Sequence, residues 1–190
     1  MKFTKIRPDT FQSLQMNAGV IASDFDVATA SVDDEDILGA TSGGVQFTAT
    51  PSFSDNGEDI DNCPKNMLEL KVLEEWEAKM SGTFVAVQQA TAKLLVGAGD
   101  LASNKITPRN DLATTDFTDI WWIGDYTDKN TGANAGFIAI HLMNALNTGG
   151  FQIQSTDKGK GQFAFEFTGH YSMSAQDTVP FEIYVKEGTA

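Results

Sequence analysis

Few side chains in this 190-residue sequence stand where chemistry would need them. His141 and His170 are its only histidines, and Cys63 is its only cysteine. Both histidines fall within strand-like stretches, and a two-histidine metal site would need carboxylate partners and an open position. A strand surface or an interface is the expected setting for each. Cys63 precedes Pro64 with no adjacent basic residue to activate it, so it reads as a small loop residue rather than a nucleophile. Asp55, Glu58, Asp59 and Asp61 offer oxygen ligands of the kind calcium takes, but their spacing departs from the EF-hand loop. A solvated loop or an interface with a basic partner fits them better. Glu75 and Glu77 share one strand face, and paired carboxylates can do acid–base work, yet no cleft or partner is visible for them. A wet strand face is the simpler reading. Gly97–Ala102 has the glycine spacing of a dinucleotide fingerprint, but it ends a helix instead of opening one, so no helix N-terminus would face a pyrophosphate. No phosphate loop, HExxH or GxSxG is present. The expectation is a protein without enzyme activity and without a cofactor.

The elements that must position these residues are mostly strands. Gly161–Val185 places Phe163, Phe165, Phe167 and Tyr171 on alternate positions, with Glu166, Thr168 and His170 between them. A period of two buries one face and wets the other. Phe181, Ile183 and Val185 repeat the pattern after Pro180. Gly44–Phe53 alternates Val45, Phe47, Ala49 and Phe53 against Gln46, Thr48, Thr50 and Ser52. Leu70–Val87 sets Trp76, Ala78, Met80 and Phe84 against Glu75, Glu77, Lys79 and Thr83, with Gly82 marking a bulge or bend. Leu68–Met80 also has good helix formers, and a helix there stays open as an alternative. Phe117–Ile123 and Phe137–Leu146 are further strands, and Thr10–Val20 is a candidate first strand. Gln88–Leu101 changes to spacings of three and four, which predicts one amphipathic helix ended by Gly97 and Gly99. Ser54–Lys65 and Asn104–Thr115 read as loops. About eight strands and one helix predict a mainly β protein: a β-sandwich or partly open barrel with one flanking helix. It is expected to be a single domain overall, with residues 1–42 forming an extended N-terminal arm, first strand and acidic loop, and 43–190 the β-sandwich.

Charge narrows the partners. Acidic residues number 26 against 13 basic ones, a net charge of −13. From Asp9 to Cys63 there are 11 acids and no base at all. Such a surface does not neutralise phosphates, so tight nucleic-acid binding is disfavoured. No polybasic segment serves an anionic membrane, and no run approaches the ~20 apolar residues of a membrane span. The N-terminus has no continuous apolar leader, and one cysteine allows no intrachain disulfide. A soluble protein made and assembled in the cytoplasm is expected. The acidic run Asp33–Asp36 repels itself and should need something else to hold it.

Three segments together carry a family likeness: GGVQFTATPSFSDNGEDIDNCPKN, EEWEAKMSGTFVAV, and GFIAIHLMNALNTGGFQIQSTDKGKGQFAFEFTGHYSMSAQDTVPFEIYV. In these the chain resembles the major tail proteins, or tail tube proteins, of long-tailed bacteriophages and prophages of Gram-positive bacteria, over about Gly43 to Val185. The resemblance implies a structural virion protein of the phage tail. Its subunits would form hexameric rings, stacked into a tube around a tape-measure protein and ended by tail terminator and distal tail proteins. DNA would pass through the lumen without specific binding. On that footing Gln46, Thr48, Thr50, Glu75 and Glu77 are candidates for the lumen wall. Asp55, Glu58, Asp59, Asp61 and Lys65 are candidates for a contact between subunits or rings, and Glu166, Thr168 and His170 for the lumen or an interface. The resemblance brings no catalytic motif. Two other classes compete: a monomeric β-sandwich binding ligand or carbohydrate through exposed Trp121 and Trp122, and a hydrolase using Glu75, Glu77 or Glu166.

Overall fold

The computed structural model describes residues 5–7 and 9–188. Residues 1–4 and 8 of the proposed N-terminal arm lie outside them. Among the described residues the architecture is mainly β, with antiparallel sheets, one flanking helix and no closed barrel. Nine strands are described: β1 (Val20–Ala22), β2 (Thr41–Asp55), β3 (Lys71–Phe84), β4 (Gly99–Ala102), β5 (Lys105–Pro108), β6 (Thr118–Asp125), β7 (Phe137–Asn147), β8 (Phe163–Thr168) and β9 (Phe181–Lys186). The helix α1 spans Gln89–Val96. Seven strands join in the order β1-β6-β7-β8-β3-β2, with β9 also on β7, and β4-β5 form a separate hairpin.

β7 makes the sandwich by serving both sheets. One of its edges is taken by β6; the other carries β9 along Phe137–Leu142 and β8 at Leu146 and Asn147. The turn between the two comes at Met143 and Asn144, which stand opposite the single residue Asp119 of β6. Asn144 is left-handed (φ 47°), a conformation asparagine tolerates better than most residues, and its N–H donates to Asp119 Oδ1 at 2.9 Å. The strand is thereby re-aimed into the second sheet.

The alternations forecast from the sequence have a clear physical outcome. Ala78, Met80 and Phe84 of β3 and Phe165 and Phe167 of β8 are buried between the sheets with Ile120, Ile140 and Leu142. Leu95 of α1 seals this core and is fully buried. Phe47 and Trp76 meet Phe181 at 5.6 and 5.5 Å, joining β2 and β3 to β9. The stretch expected as a strand over Leu70–Val87 is one from Lys71 to Phe84, preceded by a single 3-10 turn at Leu68–Leu70. Gly82 faces the core, where an added Cβ would come within 2.8 Å of the Phe165 ring. The irregularity beside it lies on β2, whose Gly43 and Gly44 have φ of 83° and 85°.

Several expectations are corrected. Thr10–Val20 is not a continuous strand: it opens with a 3-10 turn at Thr10–Gln12, makes one isolated antiparallel bridge between Gln15 and Tyr126, and enters a strand only at Val20. The helix is shorter than its periodicity, because Gly97 (φ 75°) caps it through bonds from its N–H to the Lys93 and Leu94 carbonyls. Leu101 then belongs to β4. Asn104–Thr115 is partly strand, since the two-residue turn at Ser103 and Asn104 folds β5 onto β4. Phe53 leaves the buried face and is 53% exposed, at a bulge where Ser52 pairs with Glu75 but Phe53 with Leu73. β8 ends at Thr168, so Tyr171 drops out of the alternation; its hydroxyl accepts the Trp76 N–H at 2.9 Å. The acidic segment 22–42 needs no outside holder. Phe25 packs with Trp121, Phe137 and Ala139 on the outer face of β6 and β7, with Val27 and Val32 beside it. Leu38 N–H donates to Ile21 O, and the Thr91 hydroxyl donates to Leu38 O at 2.6 Å. Asp33, Asp34 and Glu35 simply face water.

One buried ion pair ties the β4-β5 hairpin to β6. Asp116, with no exposed side-chain surface, takes both oxygens to Arg109 Nη2 at 2.6 Å and accepts the Ala113 N–H at 2.9 Å. The Ala113 N–H, and then the Arg109 guanidinium, hold its carboxyl below the ordinary 3.8. A depressed folded pKa means that the stability it lends is complete above about pH 4 and is lost as pH falls through the lower folded value. Asp116→Asn is therefore expected to lower Tm by roughly 5–10 °C at neutral pH, with a smaller deficit below pH 3. Calorimetry across pH 2–7 checks this; an equal deficit at both ends would show that the charge is not the cause.

Candidate functional site

Seven of the polar residues singled out in the sequence, Gln46, Thr48, Thr50, Glu75, Glu77, Glu166 and Thr168, lie on one surface. The register sets Gln46 opposite Ser81, Thr48 opposite Lys79, Thr50 opposite Glu77 and Ser52 opposite Glu75. The next strand continues the rows, with Glu166 opposite Ser81 and Thr168 opposite Lys79. Directly paired residues in an antiparallel sheet project to the same side. The outward face of β2-β3-β8 is therefore polar from Gln46 to Ser52, from Glu75 to Thr83 and at Glu166 and Thr168, with Ala164 opposite Thr83 an apolar exception; beyond the bulge the Lys71 end exposes Phe53, Val72 and Leu73. Gln46, Thr48, Thr50, Glu75 and Glu77 are exposed; Glu166 and Thr168 are half-buried. The Thr148 hydroxyl reaches Thr168 Oγ1 at 2.7 Å and Glu166 Oε1 at 3.4 Å, fixing the β8 end of the rows.

Lys79 is the cation on this face that the candidate set omitted. Its Nζ lies 2.6 Å from Glu77 Oε1, and this hydrogen bond raises its pKa, with the charges of Glu77 and Glu166 adding to the effect. Its place in the alternation with Glu75 and Glu77 was legible; its pairing was not, because that depends on register. Among the described residues neither Glu75 nor Glu166 makes a direct ion pair, so three carboxylates share this face with the single ammonium of Lys79.

His170 does not join this face. It follows the end of β8, its Nδ1 lies 3.1 Å from Asn144 O, and its ring meets Phe117 edge-on at 5.2 Å. It braces the β7 corner from the far side. His141 does lie within a strand, as expected. Its ring stacks flat on Trp121 at 4.0 Å, with Nε2 3.1 Å from Asp119 Oδ2 and Nδ1 3.7 Å from Glu182 Oε2. The residue thus links β6, β7 and β9 on the outer face.

The loop candidates divide by role. Asp55 points inward: Oδ1 accepts the Gly57 N–H at 3.0 Å and Oδ2 the Asn66 N–H at 2.8 Å. These bonds, Asn66 first, lower its pKa. It clamps the two ends of the loop. Glu58, Asp59, Asp61 and Lys65 remain exposed. Cys63 is half-buried, its thiol 3.5 Å from Met67 Sδ. Among the described residues no three His, Cys, Asp or Glu side chains converge as a metal cage requires.

The rival sites fare differently. Trp121 and Trp122 are adjacent in β6 and so project to opposite faces. Trp121 is buried under Phe25, and Trp122 packs on the core with its indole N–H donated to Ala18 O at 3.0 Å. They form no aromatic platform. Glu75, Glu77 and Glu166 do share a face, but the face is an open strand surface, and Glu77 is spent on Lys79. A cleft of about 590 Å³ lies between segment 9–13 and residues 126–130, lined by Phe11, Tyr126 and Asp128 among others, and no candidate residue enters it.

No known protein-family model matches this chain, and no curated protein matches it.

Proposed function

We propose that this chain is a structural virion protein, the subunit of a phage tail tube, which self-assembles into hexameric rings stacked around a tape-measure protein. The observation that carries the reading is the largely polar face of β2-β3-β8, which ends at the edge of the fifteen-residue β2, unpaired among the described residues. A long unpaired edge invites another strand, and closing sheets around a ring removes that edge. The polar rows then line the lumen. Residual carboxylates there repel phosphate, so DNA slides through without sticking. The sequence resemblance to major tail proteins supports the same reading. The N-terminal segment and the loop 56–70 remain for contacts between subunits, and tail terminator and distal tail proteins meet the ends of the tube. The protein would act in the virion without catalysis, after assembly in the host cytoplasm.

Negative-stain microscopy tests it. Purified subunit at high concentration is expected to give rings or tubes, and the same protein should be recovered from virion tails. A persistent monomer that is absent from tails would overturn the reading.

A further inference from the structure

Two hairpins of opposite charge leave from opposite ends of β3. Asp55 pairs with Lys71, so the connection from β2 projects beyond the Lys71 end. Phe163 pairs with Phe84, so the connection from β7 into β8 projects beyond the Phe84 end. The fourteen residues of β3 hold the two roots about 43 Å apart. The first connection exposes Glu58, Asp59 and Asp61. The second exposes every position from Phe151 to Lys160, including Lys158 and Lys160, with Asp157 beside them. Among the described residues none of those three carboxylates and two ammonium groups takes part in an ion pair. Each tip also leaves apolar side chains in water: Ile60 at 54% on the first, Phe151 at 47% and Ile153 at 61% on the second.

A basic tip on a chain of net charge −13 is the natural partner of an acidic one. The two cannot meet within one molecule, because the length of β3 separates them. Two acidic tips would repel each other. Complementarity exists only head to tail between copies, and such a contact repeats without closing. We propose that the tip 58–61 of one subunit docks on hairpin 151–160 of a second copy in the next layer of the stack. Glu58, Asp59 and Asp61 face Lys158 and Lys160, and Ile60 meets Phe151 and Ile153. This deepens the tube reading and rests on it: the β2 edge closes the ring, and the hairpins join one ring to the next. It also gives the tube a polarity.

Charge reversal tests the contact, with pelleting and microscopy as readouts. Lys158→Glu with Lys160→Glu is expected to raise the concentration needed for tubes by about tenfold or more, and so is Glu58→Lys with Asp59→Lys and Asp61→Lys. Single rings should persist in both variants. Combining all five changes in one chain should restore stacking to within about threefold of the wild type. If wild-type rings stack and either reversed variant stacks equally well, or the five-fold swap fails to rescue, the contact is overturned and the tube reading stands. If the wild type gives neither rings nor tubes, both fall.

Discussion

Replacing residues 56–65 with two glycines is expected to leave a folded subunit that no longer builds tubes. The cut is placed by the pairing: Ser54 and Asp55 belong to β2, opposite Val72 and Lys71, and must stay. The chain can be closed there because Asp55 Oδ2 already holds the Asn66 N–H at 2.8 Å. The removed residues contribute no side chain to either hydrophobic cluster. Circular dichroism and a thermal melt within a few degrees of the wild type would show that the sandwich is intact. Pelleting and negative stain would then show single rings or monomers. Normal tubes from this variant would mean that the loop makes no contact the polymer needs, and the hairpin docking would fall with it.

Phe84→Ala is expected to cost about 3–5 kcal/mol of subunit stability. Phe84 is fully buried, its ring centroid 4.5 Å from that of Phe165, and it stands between Thr41 of β2 and Phe163 of β8. Removing the ring opens a cavity where β2, β3 and β8 are held together, and the flanking strands cannot collapse into it without breaking register. Urea unfolding of the dispersed subunit measures the loss. Phe84→Leu should retain most of the stability, at a cost of about 1–2 kcal/mol. A cost under 1 kcal/mol for the alanine variant would show that this part of the core is loosely packed.

Alternation in β2, β3 and β8 was strong enough to assign both faces from sequence. That Gln46, Thr48, Thr50, Glu75 and Glu77 would be wet followed directly, because side-chain direction in a strand is a local property with a period of two. The helix Gln89–Val96 was legible for a similar reason, and its glycine stop was visible at Gly97. The errors came where a local pattern met a distant constraint. Nothing near Phe53 says that Glu74 will bulge on the partner strand. His170 continues the alternation of Phe163–Thr168, yet the bond to Asn144 and the contact with Phe117, both far along the chain, pull it off the face. The acidic run near Asp33 masked Phe25, Val27 and Val32, which are too few and too widely spaced to give a periodic signal.

Composition and periodicity set the class of the protein, the polarity of each strand face and the excess of negative charge, since these depend on residue identity and on neighbours two to four positions away. Tertiary structure decided which faces became one surface. Register placed Glu166 and Thr168 in line with Ser81 and Lys79, and the corner at Asn144 let β7 carry both sheets. It also set the acidic and basic hairpins at opposite ends of β3. Strand pairing acts between residues scores of positions apart, and it alone turns separate alternations into a polar wall with two oppositely charged ends.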